Sequence, residues 1–185
     1  KNMENWCNSG FDNYLVTPNR KVQRLLTRLA LENLFHPFQP FQFGQKFLAP
    51  KIANYLGVNL IFYGENQAEY GNDSDDLATP LMNKDFFSVD EIELDKIYIS
   101  GVSISELKSN FGLKNEDLQN YLPIKKEVIE KNKIEVHFLS HYLKWHPQSN
   151  YYYAVEHGGF VTSPERMPGT YTKYASIDDK MEDFN

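Results

Sequence analysis

The chain has 185 residues, a net charge of −6 and one cysteine, Cys7. The length suits one domain with a sizeable core or one and a half small ones, and the 15% share of aromatic residues argues against disorder. The acidic balance disfavours a broad nucleic-acid face, and a single cysteine excludes an internal disulfide or a cysteine metal cluster. Because the sequence has no signal-peptide pattern and no apolar run of about 18 residues, we expect a soluble cytoplasmic protein without a membrane span.

The first part of the chain predicts helices that alternate with a strand. Asn19 can cap a helix over residues 20–35, where apolar side chains recur at helical spacing. The prolines of the following His-Pro-Phe-Gln-Pro stretch are expected to exclude helix, and a second helix is predicted from residue 44 or 45 to residue 56. Pro50 either kinks that helix or marks its first turn. An apolar run over residues 58–63 predicts a buried strand, and this order is typical of a parallel α/β sheet.

The predicted strand stops at Gly64, and polar side chains follow it. Ligands of open α/β sheets bind beyond the carboxyl ends of the strands, so this position favours a binding site. Glu65 and Glu69 are four residues apart, and one helical turn would place both carboxylates on one face. The alternative interpretation is a polar loop with a turn glycine. The acidic residues 73–76 would either hold a hard cation or form a solvated turn; we favour the turn and predict no metal site.

The middle of the chain has a weaker pattern, which we interpret as a helical insertion over residues 76–133. A return strand is predicted over residues 136–143, followed by a helix over residues 148–157. On such a strand His137 and His141 would lie on one face about 13 Å apart, too far to share a metal ion. We therefore predict that the histidines hold no metal ion. We also predict that this strand and the strand at residues 58–63 are parallel and lie side by side or nearly so.

Several separated stretches share their order and spacing with one known family. These stretches are Ser9-Gly10-Phe11-Asp12-Asn13, His36-Pro37-Phe38-Gln39-Pro40-Phe41, Phe62-Tyr63-Gly64-Glu65-Asn66 with Glu69-Tyr70-Gly71-Asn72, Leu143-Lys144-Trp145-His146-Pro147, and Gly169-Thr170-Tyr171 with Lys173-Tyr174 and Ile177-Asp178-Asp179-Lys180. Together they cover nearly the whole chain and resemble the N-acetyl sugar amidotransferases of bacterial surface-glycan biosynthesis. Those enzymes act in lipopolysaccharide O-antigen pathways and in making acetamidino forms of pseudaminic or legionaminic acid.

The resemblance implies a fold and a reaction. The fold is the adenine-nucleotide α-hydrolase fold of the PP-loop ATP pyrophosphatases, a mostly parallel α/β sheet with flanking helices. The implied substrates are ATP, with Mg²⁺, and a nucleotide-linked N-acetyl sugar. ATP adenylylates the N-acetyl carbonyl and releases pyrophosphate, and ammonia from a separate glutaminase subunit then displaces AMP to leave an acetamidine.

The sequence departs from this family in its phosphate loop. The family motif Ser-Gly-Gly-x-Asp-Ser lies upstream of the matching stretches, and this sequence contains no such motif; the cysteines near the family's N terminus are absent as well. We therefore expect a middle fragment of the enzyme. We divide it into a first α/β part over residues 1–75, a helical insertion over residues 76–133 and a returning α/β part over residues 134–185.

The implied reaction gives roles to particular side chains. Adenylyl transfer builds negative charge on phosphate oxygens, which lysines can stabilise; Lys144 and Lys173 are the candidates, with Lys46 behind them. Attack by ammonia needs a proton acceptor, and Glu65 or Glu69 could serve. The other expected substrate-binding or nucleotide-binding residues offer amides, rings, hydroxyls or a carboxylate: Asn66, Tyr70, Asn72, Trp145, Thr170 and Asp178.

Two other functions remain open at this stage. The aromatic-rich and amide-rich loops equally suit a sugar-binding or nucleotide-binding module without catalysis. The chain could also belong to another PP-loop enzyme, such as a tRNA-modifying or synthetase relative, although the acidic net charge and the lack of a basic stripe disfavour a tRNA substrate.

Overall fold

The computed structural model describes residues 2–64, 79–90, 96–144, 146–166 and 171–174. The chain divides into two compact units, one of residues 17–143 and one of residues 1–16 with 144–185.

Helix α2 begins the larger unit and forms as the sequence predicts. It spans Arg20–Leu34, following a short helix α1 at Asn2–Cys7 in the other unit. The Asn19 side chain accepts a hydrogen bond from the backbone N–H of Lys21 at 3.0 Å, which satisfies one of the donors left free at a helix start. Phe35 ends the helix with a positive φ of 53°.

Helix α3 spans Gln39–Leu56 and begins earlier than the sequence pattern predicts. The expectation that both prolines of the preceding stretch exclude helix was wrong for Pro40, which occupies the first turn, where no N–H is needed. Pro50 lies inside the helix and is buried. Because Pro50 has no N–H, the carbonyl of Lys46 lacks its usual helical donor. The hydroxyl of Tyr63 donates to the carbonyl oxygen of Gln45 at 2.8 Å and shares its proton with that of Lys46 at 3.1 Å.

Two parallel strands lie side by side, as predicted. Strand β1 spans Leu60–Tyr63 and pairs with β6 at Glu135–Phe138, with the last residues of the two strands facing each other. On the other side of β6, Leu81 forms an antiparallel bridge with His137. The predicted extension of the second strand to residue 143 was wrong: residues Leu139–His141 form a 3₁₀ turn, because the ladder with β1 ends at Phe138.

The remaining strands and helices of this unit are short. Among the described residues, strand β2 at Ser88–Val89 pairs in parallel with β5 at Ile124–Lys125, and β3 at Tyr98–Ile99 forms an antiparallel hairpin with β4 at Val102–Ser103. The hairpin turn residues Ser100 and Gly101 have φ of 59° and 75°. Helix α4 at Ile104–Phe111 starts with a capping box between Ser103 and Glu106. The other short elements are α5 at Asn115–Leu118, α6 at Lys126–Lys131 and 3₁₀ turns at Lys84–Phe86 and Gln119–Tyr121.

Two clusters of buried side chains form the core of this unit, and Phe43 of α3 packs against both. The first cluster joins α2 to the hairpin and to α4, and it contains Val22, Leu26, Leu29, Ile99, Ile104, Leu107, Leu118 and Tyr121. The second lies between α3 and the inner face of β6, and it contains Phe47, Phe87, Ile124, Ile129, Ile134 and Val136. The parallel strands therefore have one face packed on the core and one face turned outward. The prediction of a strand buried on both faces over residues 58–63 was wrong, because Leu60 and Phe62 of β1 are exposed.

The smaller unit is built on helix α7 at Pro147–Gly158, which starts and ends close to the predicted positions. Helix α1 is tied to the residues after α7: the Asn2 side chain exchanges hydrogen bonds with the backbone of Val161 at 2.9 and 3.1 Å, and the Asn5 amide donates to the carbonyl of Gly159.

The described residues confirm a mixed α/β protein with short, mostly parallel strand pairs, and they form no closed sheet. Across these same residues, none of the helices is long and apolar enough to cross a membrane.

Candidate functional site

The carboxyl ends of β1 and β6 lie at the same edge of the strand pair, because the two strands run parallel and end opposite each other at Tyr63 and Phe138. In α/β sheets this is the edge where ligands bind. The polar residues predicted to follow β1 at this edge, Glu65, Asn66, Glu69, Tyr70 and Asn72, lie outside the described residues, so their predicted roles stay predictions.

The backbone of Lys46 lies near the side chain that ends β1, since its carbonyl oxygen is 3.1 Å from the Tyr63 hydroxyl. Its ammonium is 4.7 Å from the centre of the Phe86 ring and 5.9 Å from that of Phe47, both within the range of a cation–π contact. Lys46 is half-buried, and this burial lowers its pKa below the usual value because the charged form loses hydration. An anion beside the ammonium would restore the lost stabilisation, so this position suits a phosphate or carboxylate.

Lys144 is an exposed residue of the smaller unit, close before the start of α7. The next residue, Trp145, lies outside the described residues. His146 caps the helix: its imidazole Nδ1 accepts from the backbone N–H of Ser149 at 3.2 Å and lies 3.0 Å from the Ser149 hydroxyl. His146 is therefore the N-cap of α7, a role that the sequence analysis did not assign to it.

Lys173 lies in a loop that folds back on α7. Its ammonium donates to the carbonyl of Pro164 at 3.0 Å, and its own carbonyl accepts from Ser163 at 2.9 Å. The next residue, Tyr174, stacks on Tyr151 with ring centres 4.3 Å apart and planes 12° apart. An ammonium has three donors, so the bond to Pro164 leaves donors for a further acceptor. Two other predicted residues of this segment, Thr170 and Asp178, lie outside the described residues.

The structure thus describes three of the predicted site residues, Lys46 in the larger unit and Lys144 and Lys173 in the smaller one. Lys46 has a partly desolvated charge, whereas both residues of the smaller unit are exposed.

One group of polar side chains was missed by the sequence analysis. Glu135 and His137 alternate with buried residues on β6, so both face outward, and Tyr142 returns over them after the 3₁₀ turn. His137 Nδ1 lies 2.6 Å from the Tyr142 hydroxyl, and Nε2 lies 3.2 Å from the Glu135 carboxylate. The alternation of buried and outward-facing residues along β6 could have indicated that Glu135 and His137 share a face. The position of Tyr142 depends on the 3₁₀ turn and could not be predicted in this way. The predicted spacing of His137 and His141 along one strand was wrong, because His141 belongs to the turn.

Metal binding finds no support in the part of the chain that the structure describes, where no three histidine, cysteine or acidic side chains form a group that could hold a metal ion. The acidic residues 73–76 lie outside that part.

No protein-family model matches this sequence, and a search of curated proteins also finds no match.

Proposed function

We propose that this chain is the substrate-side part of an ATP-dependent amidotransferase that converts the N-acetyl group of a nucleotide-linked sugar to an acetamidino group. The fold proposed for it is that of the PP-loop ATP pyrophosphatases, in the cytoplasm, with ammonia supplied by a glutaminase subunit. The observation that carries the proposal is the parallel β1–β6 pair with Lys46 half-buried beside its carboxyl end. A parallel pair joined by a long crossover is what this fold requires of its sheet.

The chemistry assigned to Lys46 is charge stabilisation. Transfer of an adenylyl group to the acetyl oxygen breaks the bond between the α-phosphate and the pyrophosphate, and negative charge grows on the phosphate oxygens. A cation acts more strongly on that charge when it is partly removed from water, because screening is weaker there. Lys144 and Lys173 stay separate candidates for phosphate contact, from the sequence alone.

The later step replaces AMP by ammonia. Ammonia adds to the imidate carbon, the bond to the AMP oxygen breaks, and the added nitrogen loses a proton to a base. Glu65 and Glu69 remain the proposed bases from the sequence, and the amides of Asn66 and Asn72 are proposed to hold the sugar.

Pyrophosphate release tests the role of Lys46. The assay uses the chain joined to the phosphate-loop segment that the family resemblance implies, with ATP, Mg²⁺ and a nucleotide-linked N-acetyl sugar. Lys46→Met keeps the apolar stem and removes the charge, and we expect release to slow by roughly 10²-fold, as when one charge-stabilising donor is lost. Lys51→Met is the matched control, because Lys51 is a half-buried lysine of the same helix. Equal rates for the two variants would contradict the assignment.

A second candidate function is a sugar-binding module without catalysis. It is favoured by the outward face of the strand pair, where the rings of Phe62 and Tyr142 are about half exposed. Such a module would bind the sugar nucleotide without consuming ATP.

A further inference from the structure

The outward face of the strand pair carries a connected set of three side chains, which we call the Glu–His–Tyr triad: Glu135, His137 and Tyr142. The imidazole stands between the other two, with Nδ1 at 2.6 Å from the Tyr142 hydroxyl and Nε2 at 3.2 Å from a Glu135 carboxylate oxygen. Phe62 faces His137 across the strand pair, and its ring packs edge-on against both other rings at 5.6 to 5.9 Å.

The partners of the imidazole determine where its proton lies. An ionised carboxylate only accepts hydrogen bonds, so the bond to Glu135 places the proton of the neutral imidazole on Nε2. Nδ1 is then an acceptor, and the hydroxyl of Tyr142 must be the donor of the 2.6 Å bond. The order of the three groups is that of an orienting carboxylate, a base and an activated hydroxyl.

Exposure separates the base from the group that a ligand can reach. The His137 side chain is only 14% exposed, because the neighbouring rings cover it. Tyr142 is 53% exposed. A molecule that approaches this face therefore meets the phenol, and the imidazole acts through it.

We propose that the Glu–His–Tyr triad is a proton-transfer site in which the Tyr142 hydroxyl contacts the substrate. In the proposed step the hydroxyl oxygen takes the proton of a substrate O–H or N–H group while its own proton passes to His137 Nδ1. The substrate keeps the electron pair, and the Glu135 carboxylate stabilises the imidazolium that forms. The proton returns by the reverse path, so no oxidant or further reactant is needed. Tyr142 is the catalytic residue, His137 is the base behind it and Glu135 is a positioning residue.

The surroundings of the phenol indicate the class of substrate. Leu60 and Leu81 lie on the same outward face as His137, on either side of β6, and both are more than two-fifths exposed. A ligand for this face needs an apolar surface together with a polar hydrogen donor, and the ring of a pyranose sugar has both. The choice of a sugar rests on the proposed function, whereas the proton transfer does not.

Selective acylation of tyrosine tests the triad in the chain as it stands. N-acetylimidazole is applied at neutral pH, and peptide mass spectrometry follows each tyrosine. Tyr55, which is 82% exposed, is the internal control; exposure alone predicts that it reacts faster than Tyr142. With base assistance we expect Tyr142 to react about 10²-fold faster than Tyr55, the lower end of what a positioned base contributes.

Two variants separate base assistance from accessibility. His137→Gln should bring Tyr142 down to the rate of Tyr55. Glu135→Gln changes an exposed carboxylate, so the fold is expected to persist; it should slow Tyr142 by a smaller factor. Long-range ¹⁵N NMR should show His137 as the Nε2–H tautomer in the unmodified chain and as a mixture of the two tautomers in Glu135→Gln. A carboxylate that does not position the imidazole would not change the tautomer in this way. Equal acylation of Tyr142 and Tyr55, or no effect of either variant, would overturn the proposal.

The sugar is tested separately. Millimolar N-acetylglucosamine should slow acylation of Tyr142 and leave Tyr55 unchanged. Fast acylation of Tyr142 without protection by the sugar would leave the proton-transfer site in place and contradict the choice of a pyranose.

Discussion

The Tyr63 hydroxyl lies where helix α3 cannot complete its own hydrogen bonds, and it attaches the end of β1 to the helix through the carbonyls of Gln45 and Lys46. Pro50 removes the N–H that would bond to the carbonyl of Lys46, and the Tyr63 hydroxyl lies 3.1 Å from that oxygen. Tyr63→Phe keeps the ring and removes the hydroxyl. The net value of a protein hydrogen bond is about 1 kcal/mol, and an acceptor left unsatisfied away from water costs about 1–3 kcal/mol. Since the site is half-buried, we expect Tyr63→Phe to lower the free energy of unfolding by about 1–2 kcal/mol.

A double-mutant cycle with Pro50→Ala isolates the cause. Alanine restores the N–H at position 50, which can bond to the Lys46 carbonyl within the helix. Tyr63→Phe should then cost less, with a coupling of about 0.5–1 kcal/mol, which is within the usual range for residues that share a partner. Urea unfolding of the four proteins measures the cycle, and an unchanged m-value shows that each variant unfolds the same structure. Tyr55→Phe is the control, because Tyr55 is exposed and should change stability by less than about 0.5 kcal/mol. The same cost for Tyr63→Phe in both backgrounds would refute the reasoning.

Three further predictions concern a turn, a buried lysine and the loop of the smaller unit. Gly101→Ala should lower the free energy of unfolding, measured in urea, by at least about 1–2 kcal/mol, because φ is 75° and the new Cβ would lie 2.8 Å from Asn33 Cβ. Gly44→Ala is the control: it lies in open space inside α3 and should leave the stability unchanged or raise it. Equal effects of the two substitutions would contradict this prediction. Burial lowers the pKa of Lys51 from 10.5 to about 8, so between those pH values only the unfolded chain holds the proton and stability rises with pH. Urea midpoints measured at neutral and at alkaline pH should therefore rise with pH in the unmodified chain and not in Lys51→Met. The same pH dependence in both proteins would contradict the assignment to Lys51. In the enzyme that includes the phosphate loop, Lys173→Ala should slow amidine formation roughly 10²-fold. Binding of the sugar nucleotide should change little. Near-normal turnover by a folded variant would rule out the phosphate role.

Local patterns predict α2 and α7 because the causes of these helices are local. The cap at Asn19 and the apolar spacing behind it define α2 without help from the rest of the chain. The start of α3 was missed because the sequence rule against proline in helices does not apply to the first turn, where Pro40 lies. The end of β6 was missed because the apolar pattern of the sequence continues past Phe138. The hydrogen-bonded ladder stops there, because Phe138 pairs with Tyr63, the last residue of β1.

The surroundings of the site depend on contacts between distant residues and could not be predicted in the same way. The centre of the Phe86 ring, in the segment before β2, lies 4.7 Å from the ammonium of Lys46, and no local pattern predicts this contact. The contact between Tyr142 and His137 likewise depends on a turn that no periodicity predicts. The two lysines of the smaller unit were identified through the family resemblance, and their phosphate role stays a prediction.

Mass spectrometry of the reaction product tests the proposed function most directly. The chain joined to a phosphate-loop segment is supplied with ATP, Mg²⁺, ammonium and a nucleotide-linked N-acetyl sugar. The account predicts a sugar product in which NH replaces the acetyl oxygen, formed together with one pyrophosphate and one AMP for each amidine. Binding of the sugar nucleotide with no amidine and no pyrophosphate would contradict the account and identify a binding module instead.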